Sequence, residues 1–178
     1  MPDPGPNSNN TDLIPTDSIP TDSIVTDSNN TDSNNTDSID TTGFAGFLEA
    51  LGAKIDSISA ERATLTLPVT PALHQPNGIV HGGVYCTIVE TLASLGAAVW
   101  LGDRGHVVGV ANHTDFLRAT RTGTLYAVST PIHRGRTQQL WLVEITDAEP
   151  GSAGARLVAR GEVRLANIAS TEHLGGGA

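Results

Sequence analysis

One long helical pattern followed directly by strand-like segments restricts this chain to few folds. Apolar residues recur at spacings of three and four from 84 to 101, which predicts a long helix that opens at Gly82-Gly83. Four segments rich in strand-forming residues follow it, separated by turn residues. They are 107–117, 124–133, 137–147 and 156–166. Because no helix alternates with these strands, we expect an α+β domain with an antiparallel sheet rather than βαβ units.

Two further segments precede the long helix. Residues 44–51 place their apolar side chains on one side of a short helix, and Gly52 is a suitable stop for it. Residues 53–69 alternate in polarity and predict one strand, which Pro68 and Pro71 end. With the four later segments, we expect a five-stranded antiparallel sheet wrapped around one long central helix.

The first forty residues carry a repeat that cannot build a core. Thr-Asp recurs every five residues between 11 and 37, a period that matches neither a helix nor a strand. With eight Asp and no Lys or Arg in residues 1–40, we expect a disordered acidic tail at 1–42, one domain at 43–168 and a flexible end at 169–178. The alternatives for the tail are weak calcium binding and glycosylation of the Asn-x-Thr acceptors Asn9, Asn29 and Asn34.

Charge and cysteine content argue against several classes of protein. The net charge of −9 comes mainly from the tail, because the other residues carry 11 acidic and 10 basic side chains. Such a neutral domain lacks the basic face that nucleic acids require. Cys86 is the only cysteine, so no intramolecular disulfide forms. Since neither a secretory signal nor an uninterrupted membrane-spanning run is evident, we expect a cytoplasmic protein with no nucleic-acid or membrane partner.

The predicted long helix carries an acidic residue in an unusual place. Its bulky apolar side is made of Tyr85, Ile88, Val89, Leu92, Leu95 and Val99. Its other side is made of small residues, namely Gly83, Cys86, Thr87, Ala93, Ser94, Ala97 and Ala98. Glu90 lies in the middle of this small side, where a carboxylate would lose part of its hydration and become a stronger base or nucleophile. The alternative is an ordinary solvated glutamate.

The segment before the helix is suited to binding a carbonyl oxygen. The first N–H groups of a helix have no internal acceptor and lie at the positive end of its dipole. Gly82 and Gly83 have no Cβ that would keep a substrate from this backbone, so both are candidate substrate-binding residues. The alternative for His81-Gly82-Gly83 is a tight turn that requires positive φ.

Three segments together resemble the hot-dog-fold acyl-CoA thioesterase superfamily. They are HQPNGIVHGGVYCTIVETLAS (74–94), VVGVANHTDFLRAT (107–120) and STPIHRGRTQQLWLVEI (129–145). The resemblance spans about 44–168 and is greatest to the branch of hydroxybenzoyl-CoA and dihydroxynaphthoyl-CoA thioesterases, which overlaps the phenylacetate-type group. Many phenylacetate-type relatives have Asp at the acidic position, so Glu90 favours the hydroxybenzoyl-like branch.

The resemblance implies a role for each matching residue. It implies that Glu90 is the catalytic acid, either as nucleophile or as general base, and that the Gly82 N–H polarises the thioester carbonyl. It also implies that Gln75 and His81 line the carbonyl site and that Ser94 holds the hydrolytic water. It implies hydrolysis of an acyl-CoA, with an aromatic or hydroxyaromatic acyl group expected.

The spacing of these groups predicts a homodimer. Gly82 and Glu90 are eight residues apart, hence ~12 Å along one helix, yet both must come within hydrogen-bonding reach of one thioester. Two antiparallel copies solve this, with Gly82 of one chain facing Glu90 of the other, and a dimer of dimers would also be compatible. A basic cluster is the candidate site for the CoA phosphates. It comprises Arg118, His133, Arg134 and Arg136, with Arg121 beside them.

Other activities stay open at this point. A medium-chain fatty acyl-CoA thioesterase would use the same groups, and a non-catalytic acyl-CoA-binding module would keep the fold without the chemistry. A hot-dog hydratase would need an Asp and His pair on a loop-helix segment, which the sequence lacks. The six histidines show none of the spacings of a metal site. We therefore expect no metal and no cofactor.

Overall fold

The computed structural model describes residues 46–169. The helices are α1 (Gly46–Ala50) and α2 (Gly82–Leu101), and short 3₁₀ turns occupy Pro71–Leu73 and Gly102–Arg104. The strands are β1 (Lys54–Ile58), β2 (Ala63–Pro68), β3 (Gly105–Phe116), β4 (Thr124–Arg134), β5 (Gln138–Thr146) and β6 (Leu157–Ala169). The predicted tail at 1–42 lies outside the described residues. So does the predicted flexible end, except that Ala169 pairs with Gly105 and closes β6.

One antiparallel sheet holds all these strands, in the order β1-β2-β4-β5-β6-β3. α2 lies across one face and contacts every strand. Burial alternates along β2, β4 and β5, because every second side chain faces α2. The core between the sheet and the helix includes Leu65, Leu67, Ile88, Leu92 and Trp141. The predicted architecture of one long helix packed on an antiparallel sheet is confirmed.

The predicted strand count was wrong, because residues 53–69 form a hairpin rather than one strand. The chain reverses between Ser59 and Arg62, where the Ser59 hydroxyl and amide both donate to the Arg62 carbonyl. This turn contains neither Gly nor Pro, so the sequence lacks the residues that usually indicate a turn. The odd spacing of Ile55, Ile58 and Ala63 was the available signal, since a single strand keeps its apolar residues two apart. The sheet therefore has six strands.

α2 begins at the predicted glycines and ends at Leu101. Its bulky side is buried as predicted, apart from the exposed Val99. Gly96 lies so close to the sheet that a Cβ there would meet the Trp141 ring at 2.6 Å. Contrary to the sequence-based expectation, the segment Gly82–Arg104 has the length and apolar composition of a membrane span, but 56% of the apolar 18-residue window within it is buried inside the fold. The sheet, therefore, covers much of this apolar helix.

β3 is an edge strand with an irregularity near its middle. It pairs only with β6, and the register shifts between Gly109 and Ala111, so that Val110 is an extra residue on β3. Such a bulge resets the alternation of side chains. As a result Gly109 and Asn112 both face α2, although regular alternation over three residues would put them on opposite faces.

Candidate active site

The start of α2 leaves one backbone amide without an acceptor. His81 is the N-cap residue, and its carbonyl accepts from the Val84 N–H at 2.9 Å. Its Nδ1 accepts from the Gly83 N–H, also at 2.9 Å. Among residues 46–169 the Gly82 N–H has no partner. Gly82 therefore offers the free amide, at the positive end of the helix dipole.

The contact between His81 and Gly83 changes what each of them can do. Because Nδ1 accepts a hydrogen bond, the neutral His81 ring carries its proton on Nε2, which stays free to donate. The Gly83 amide, by contrast, is already used. The structure therefore removes this amide from the predicted substrate-binding groups and leaves Gly83 as a residue without a Cβ.

A cavity of about 280 Å³ adjoins the free amide. Its walls include Gln75, Gly82, Tyr85, Phe116, Leu117 and Arg118. The Gln75 Oε1 accepts from Asn77 Nδ2 at 3.2 Å, so Nε2 is the donor that remains, and it makes no hydrogen bond to the described residues. The fold thus brings Gln75, Gly82 and Arg118, three of the predicted site residues, to one cavity.

The wall of this cavity contains a buried hydroxyl that makes no hydrogen bond. Tyr85 is 3% exposed, and its phenol has no partner among the described residues. Burial raises the pKa of Tyr85. The Thr120 hydroxyl is buried as well and lies outside hydrogen-bonding geometry. Two polar groups of this kind are costly unless a ligand or water satisfies them.

Glu90 is held between α2 and β3. Its side chain is half-buried, and its Oε2 accepts from Asn112 Nδ2 at 3.0 Å. On the other side, a Cβ at Gly109 would meet Glu90 Oε1 at 2.1 Å, so the carboxylate rests against bare glycine backbone. Sequence reasoning missed both Asn112 and Gly109. A glycine inside a strand pattern was the available signal, because it often marks a close approach of another group.

The remaining predicted residues of the helix lie on one stripe. Ser94 follows Glu90 by one turn, Cys86 precedes it by one turn, and all three are half-buried. α2 is continuous from Gly82 to Leu101. Residues 82 and 90 of the chain are therefore ~12 Å apart along the axis, too far for the Gly82 amide and the Glu90 carboxylate to act on the same thioester.

The predicted basic cluster is divided into two separate groups in the folded chain. The Arg118 N–H donates to the Val158 carbonyl near the start of β6, whereas the Asn167 N–H near its end donates to Thr137, next to Arg136. Nine residues of strand separate these positions, a distance of ~30 Å. Arg118 therefore lies at the cavity, and the other three residues lie at the β4–β5 turn. The chain therefore does not bring the predicted basic cluster together at one place.

Arg134 is the least available member of the second group. Its guanidinium forms a two-pronged ion pair with Glu61, at 2.8 and 3.2 Å, and donates to the Ala60 carbonyl at 2.9 Å. It also lies 5.6 Å from the centre of the Trp100 ring. These contacts tie β4 to the β1–β2 turn, which is a structural use of Arg134. His133 and Arg136 are exposed.

A metal centre finds no support in the described part of the chain. Within residues 46–169, no three His, Cys, Asp or Glu side chains are close enough together to hold a metal ion. The groups that the described residues contribute are the Gly82 amide, the His81 imidazole, the Gln75 side-chain amide and the Glu90 carboxylate.

Comparison with known proteins identifies the class that this fold and site define. Residues 77–163, which contain Gly82, Glu90 and Asn112, match the family model described as Thioesterase superfamily. A Mycobacterium tuberculosis protein named as a candidate esterase is 47% identical over 125 residues, which cover 68% of this chain and 86% of that protein. The chain belongs to the thioesterase superfamily and has its hot-dog fold.

Relatives with more specific names narrow the chemistry to a thioester hydrolase. The 1,4-dihydroxy-2-naphthoyl-CoA hydrolase of Listeria monocytogenes is 35% identical over 102 residues, covering 57% of this chain and 83% of the relative. Among solved structures, a Haemophilus influenzae thioesterase superposes with a TM-score of 0.64 at 31% identity, covering 72% of this chain and 86% of that one. This protein is accordingly a thioester hydrolase.

Proposed function

We propose that the protein hydrolyses acyl-CoA thioesters to the free acid and CoA, with Glu90 as catalytic carboxylate and Gly82 as oxyanion donor. The observation that carries this proposal is the Gly82 amide, which lacks an acceptor and adjoins a cavity. The thioester oxygen would accept from this amide and from Gln75 Nε2, both of which adjoin the cavity. Donors aimed at the place where negative charge develops lower the barrier most.

Two routes of hydrolysis use the same groups. In the first, a Glu90 oxygen attacks the carbonyl carbon, the C–S bond breaks, and CoA leaves as the thiolate; water then hydrolyses the acyl-Glu90 anhydride. In the second, Glu90 takes a proton from a water held by Ser94, the hydroxide attacks the same carbon, the C–S bond breaks, and Glu90 returns the proton to the departing CoA thiolate. In both routes, Glu90 must be within ~3 Å of the reacting group.

We further propose that each active site is shared by two protomers of a homodimer. One protomer cannot bring its own amide and carboxylate together across ~12 Å of helix, whereas an antiparallel partner would place Glu90 of the partner subunit opposite Gly82. The exposed edge of the sheet supports this pairing, because β3 has a free side and several exposed apolar residues surround it. They are Val108, Val110, Phe116, Leu117 and Ile168.

The same arrangement offers a place for CoA. α2 runs from the Arg118 end of the sheet towards the β4–β5 turn, as the contact of Gln139 Nε2 with the Ala97 carbonyl at 3.3 Å indicates. In an antiparallel dimer, the turn of the second protomer would therefore lie at the Arg118 end of the first. We propose that Arg118 binds the CoA phosphates together with His133 and Arg136 of the partner subunit. Arg134 has a secondary role here because Glu61 already engages it.

We propose an aromatic, hydroxylated acyl group for the substrate. The cavity beside Gly82 has an aromatic wall, in which the Tyr85 and Phe116 rings lie 5.9 Å apart. The buried Tyr85 phenol has no partner among the described residues, and we propose that a hydroxyl on the acyl ring supplies one when the substrate displaces the side chains that cover it. The name of the Listeria relative agrees with this class of substrate. Tyr85→Phe should lower the kcat/KM ratio of hydroxybenzoyl-CoA over benzoyl-CoA about threefold to tenfold. An unchanged ratio would exclude the phenol as the recognition group.

The first experiment measures thiol release from a panel of thioesters. Benzoyl-, hydroxybenzoyl-, dihydroxynaphthoyl-, phenylacetyl- and medium-chain fatty acyl-CoA cover the candidate substrates, and a fatty acyl preference would replace the aromatic assignment. Glu90→Gln should reduce kcat about 10²–10⁴-fold. Glu144→Gln, on the outer face of β5, is the matched control and should behave as wild type. Full activity of Glu90→Gln would remove Glu90 from the mechanism.

The second experiment tests the shared site through the Gly82 amide. Gly82 is the first helical residue and His81 is extended, so proline fits the backbone there while removing the N–H. Both Gly82→Pro and the control Gly82→Ala would press on the Phe116 ring, but only proline should cost ~10²–10³-fold in kcat. Remixing Gly82→Pro with Glu90→Gln chains should restore roughly a quarter of wild-type activity, since half of the randomly paired dimers hold one intact site. No recovery after subunit exchange would refute the shared site.

A further inference from the structure

We propose that Asn112 and Thr114 are positioning residues for the Glu90 carboxylate, with Asn112 acting on it directly and Thr114 acting through Asn112. The inference rests on the proposed catalytic role of Glu90 and extends it to two residues of a different element. A carboxylate on a helix has several rotamers, and a reaction needs one of them. The contacts that Asn112 and Thr114 make from β3 select one rotamer of Glu90.

The bulge in β3 brings Asn112 to the helix. Gly109 and Asn112 both face α2 because Val110 is the extra residue between them. Gly109 leaves room for the carboxylate on one side, and Asn112 reaches it from the other at 3.0 Å. A regular strand would turn residue 112 outwards. Bulges are frequent beside active sites because they re-aim a side chain in this way.

The chemistry of its neighbours determines which way the Asn112 amide points. Its Nδ2 lies 3.1 Å from the Cys86 carbonyl and 3.0 Å from Glu90 Oε2, and both of these atoms can only accept while Glu90 is ionised. The NH₂ group must therefore be on this side. The Thr114 hydroxyl donates to Asn112 Oδ1 at 2.7 Å, on the opposite side. All donors and acceptors of the amide that face the protein are thus matched.

Thr114 itself is fixed by close packing. A Cβ on Gly161 of β6 would meet the Thr114 hydroxyl at 2.8 Å and Val89 at 2.6 Å, so the glycine allows all three elements to approach. The hydroxyl sits in this gap and points along β3 to Asn112. The two residues of β3 on either side of Thr114, His113 and Asp115, pair with each other on the exposed face. They are not part of the chain of contacts from Thr114 through Asn112 to Glu90, which we call the relay.

The relay gives the two oxygens of Glu90 different roles. Oε2 is held by Asn112, whereas within residues 46–169 Oε1 accepts no hydrogen bond. Oε1 therefore keeps its lone pairs for the thioester carbon or for the attacking water. Asn112 is a neutral donor, so it orients the ion without neutralising its charge.

The experiment compares kcat and KM for variants of the relay, using the panel thioester that the wild-type enzyme hydrolyses fastest. Asn112→Leu, close in size but without the amide, should lower kcat about 10- to 100-fold with KM changed less than about threefold, because Asn112 touches Glu90 rather than the substrate. Thr114→Val should lower kcat about three- to tenfold, and Thr114→Ser should restore it. Thr64→Val removes a comparable hydroxyl contact, with Ser57 at 2.6 Å on the far hairpin, and should leave kcat unchanged.

A double variant separates a relay from general damage to the fold. If Thr114 acts through Asn112, the double variant Asn112→Leu/Thr114→Val should be no slower than Asn112→Leu alone; two losses that multiply would overturn the relay. If Glu90→Gln is inactive while Asn112→Leu and Thr114→Val both keep kcat within about twofold, the positioning role is refuted and the proposed function stands. If Glu90→Gln itself is active, the proposed function fails. If Asn112→Leu does not fold, the comparison of Thr114→Val with Thr114→Ser tests the positioning role instead.

Discussion

Gly109→Ala offers a clean separation of catalysis from stability in this fold. A Cβ at this position would lie 2.1 Å from Glu90 Oε1, whereas an unstrained C···O contact is about 3.3 Å. The carboxylate would therefore move by about 1.2 Å and leave the Asn112 hydrogen bond. Because a misplacement of this size can cost ~10²-fold in rate, we expect kcat to fall about 100-fold.

The same substitution should hardly change the stability. Gly109 lies in a strand at ordinary φ, so alanine restricts the unfolded chain and contributes about 0.5–1 kcal/mol in favour of folding. The loss of the Asn112–Glu90 hydrogen bond, which lies at the surface, costs about 0.5–1.5 kcal/mol at most. These two terms nearly cancel, and the midpoint of thermal unfolding should stay within about 5 °C of that of the wild type.

The assay is thiol release for kcat and KM, together with a thermal melt of the same sample. Gly46→Ala is the matched control, because nothing lies within 4 Å of the Cβ that it adds. A Gly109→Ala variant with wild-type kcat would show that the position of the Glu90 carboxylate does not limit the reaction. A variant that loses kcat and stability together would show that Gly109 is needed for the sheet rather than for the carboxylate.

Three further predictions concern stability. Gly96→Ala should lower the free energy of unfolding in urea by about 1–3 kcal/mol, because its Cβ would lie 2.6 Å from the Trp141 ring; an unchanged value would contradict this tight packing. The side-chain hydrogen bond from Arg156 holds the pKa of Asp147 below its usual range, so the pair stabilises the fold above pH ~4 and stops doing so as the pH falls through the folded pKa. Asp147→Asn should therefore lower the melting temperature more at pH 7 than at pH 3, and equal losses would refute this. Burial raises the pKa of Tyr85, so the unfolded chain loses the phenolic proton first and stability should decline above pH ~10; Tyr85→Phe should lessen that decline, and an identical decline would count against it.

Local periodicity was enough to find most of the elements. The helix predicted from Gly82 to Leu101 is α2, and the four later strands begin and end within three residues of their predicted bounds. These segments are long and strongly patterned, so their side-chain period reflects a single buried face. The hairpin within 53–69 was missed because its turn uses Ser59 rather than Gly or Pro.

The groups of the proposed active site could likewise be predicted from residues that are close together in the sequence. An isolated Glu90 on a helix that opens with two glycines pointed to an amide and an acid, and their spacing along the helix depends only on its rise. The positions of the arginines in the fold could not be predicted in this way. Arg118 and Arg136 are 18 residues apart in the chain, yet β4 carries the second to the far end of the sheet.

Contacts between residues that are far apart in the sequence could not be predicted from the sequence alone. Asn112 reaches Glu90 across 22 residues, and it does so only because one extra residue in β3 reverses the direction of its side chain. No periodic pattern records such a bulge, since the shift becomes visible only against the register of β6. The residues that we propose for the chemistry were therefore recognisable from their neighbours in the sequence, whereas their contacts with β3 arise only when β3 closes over α2.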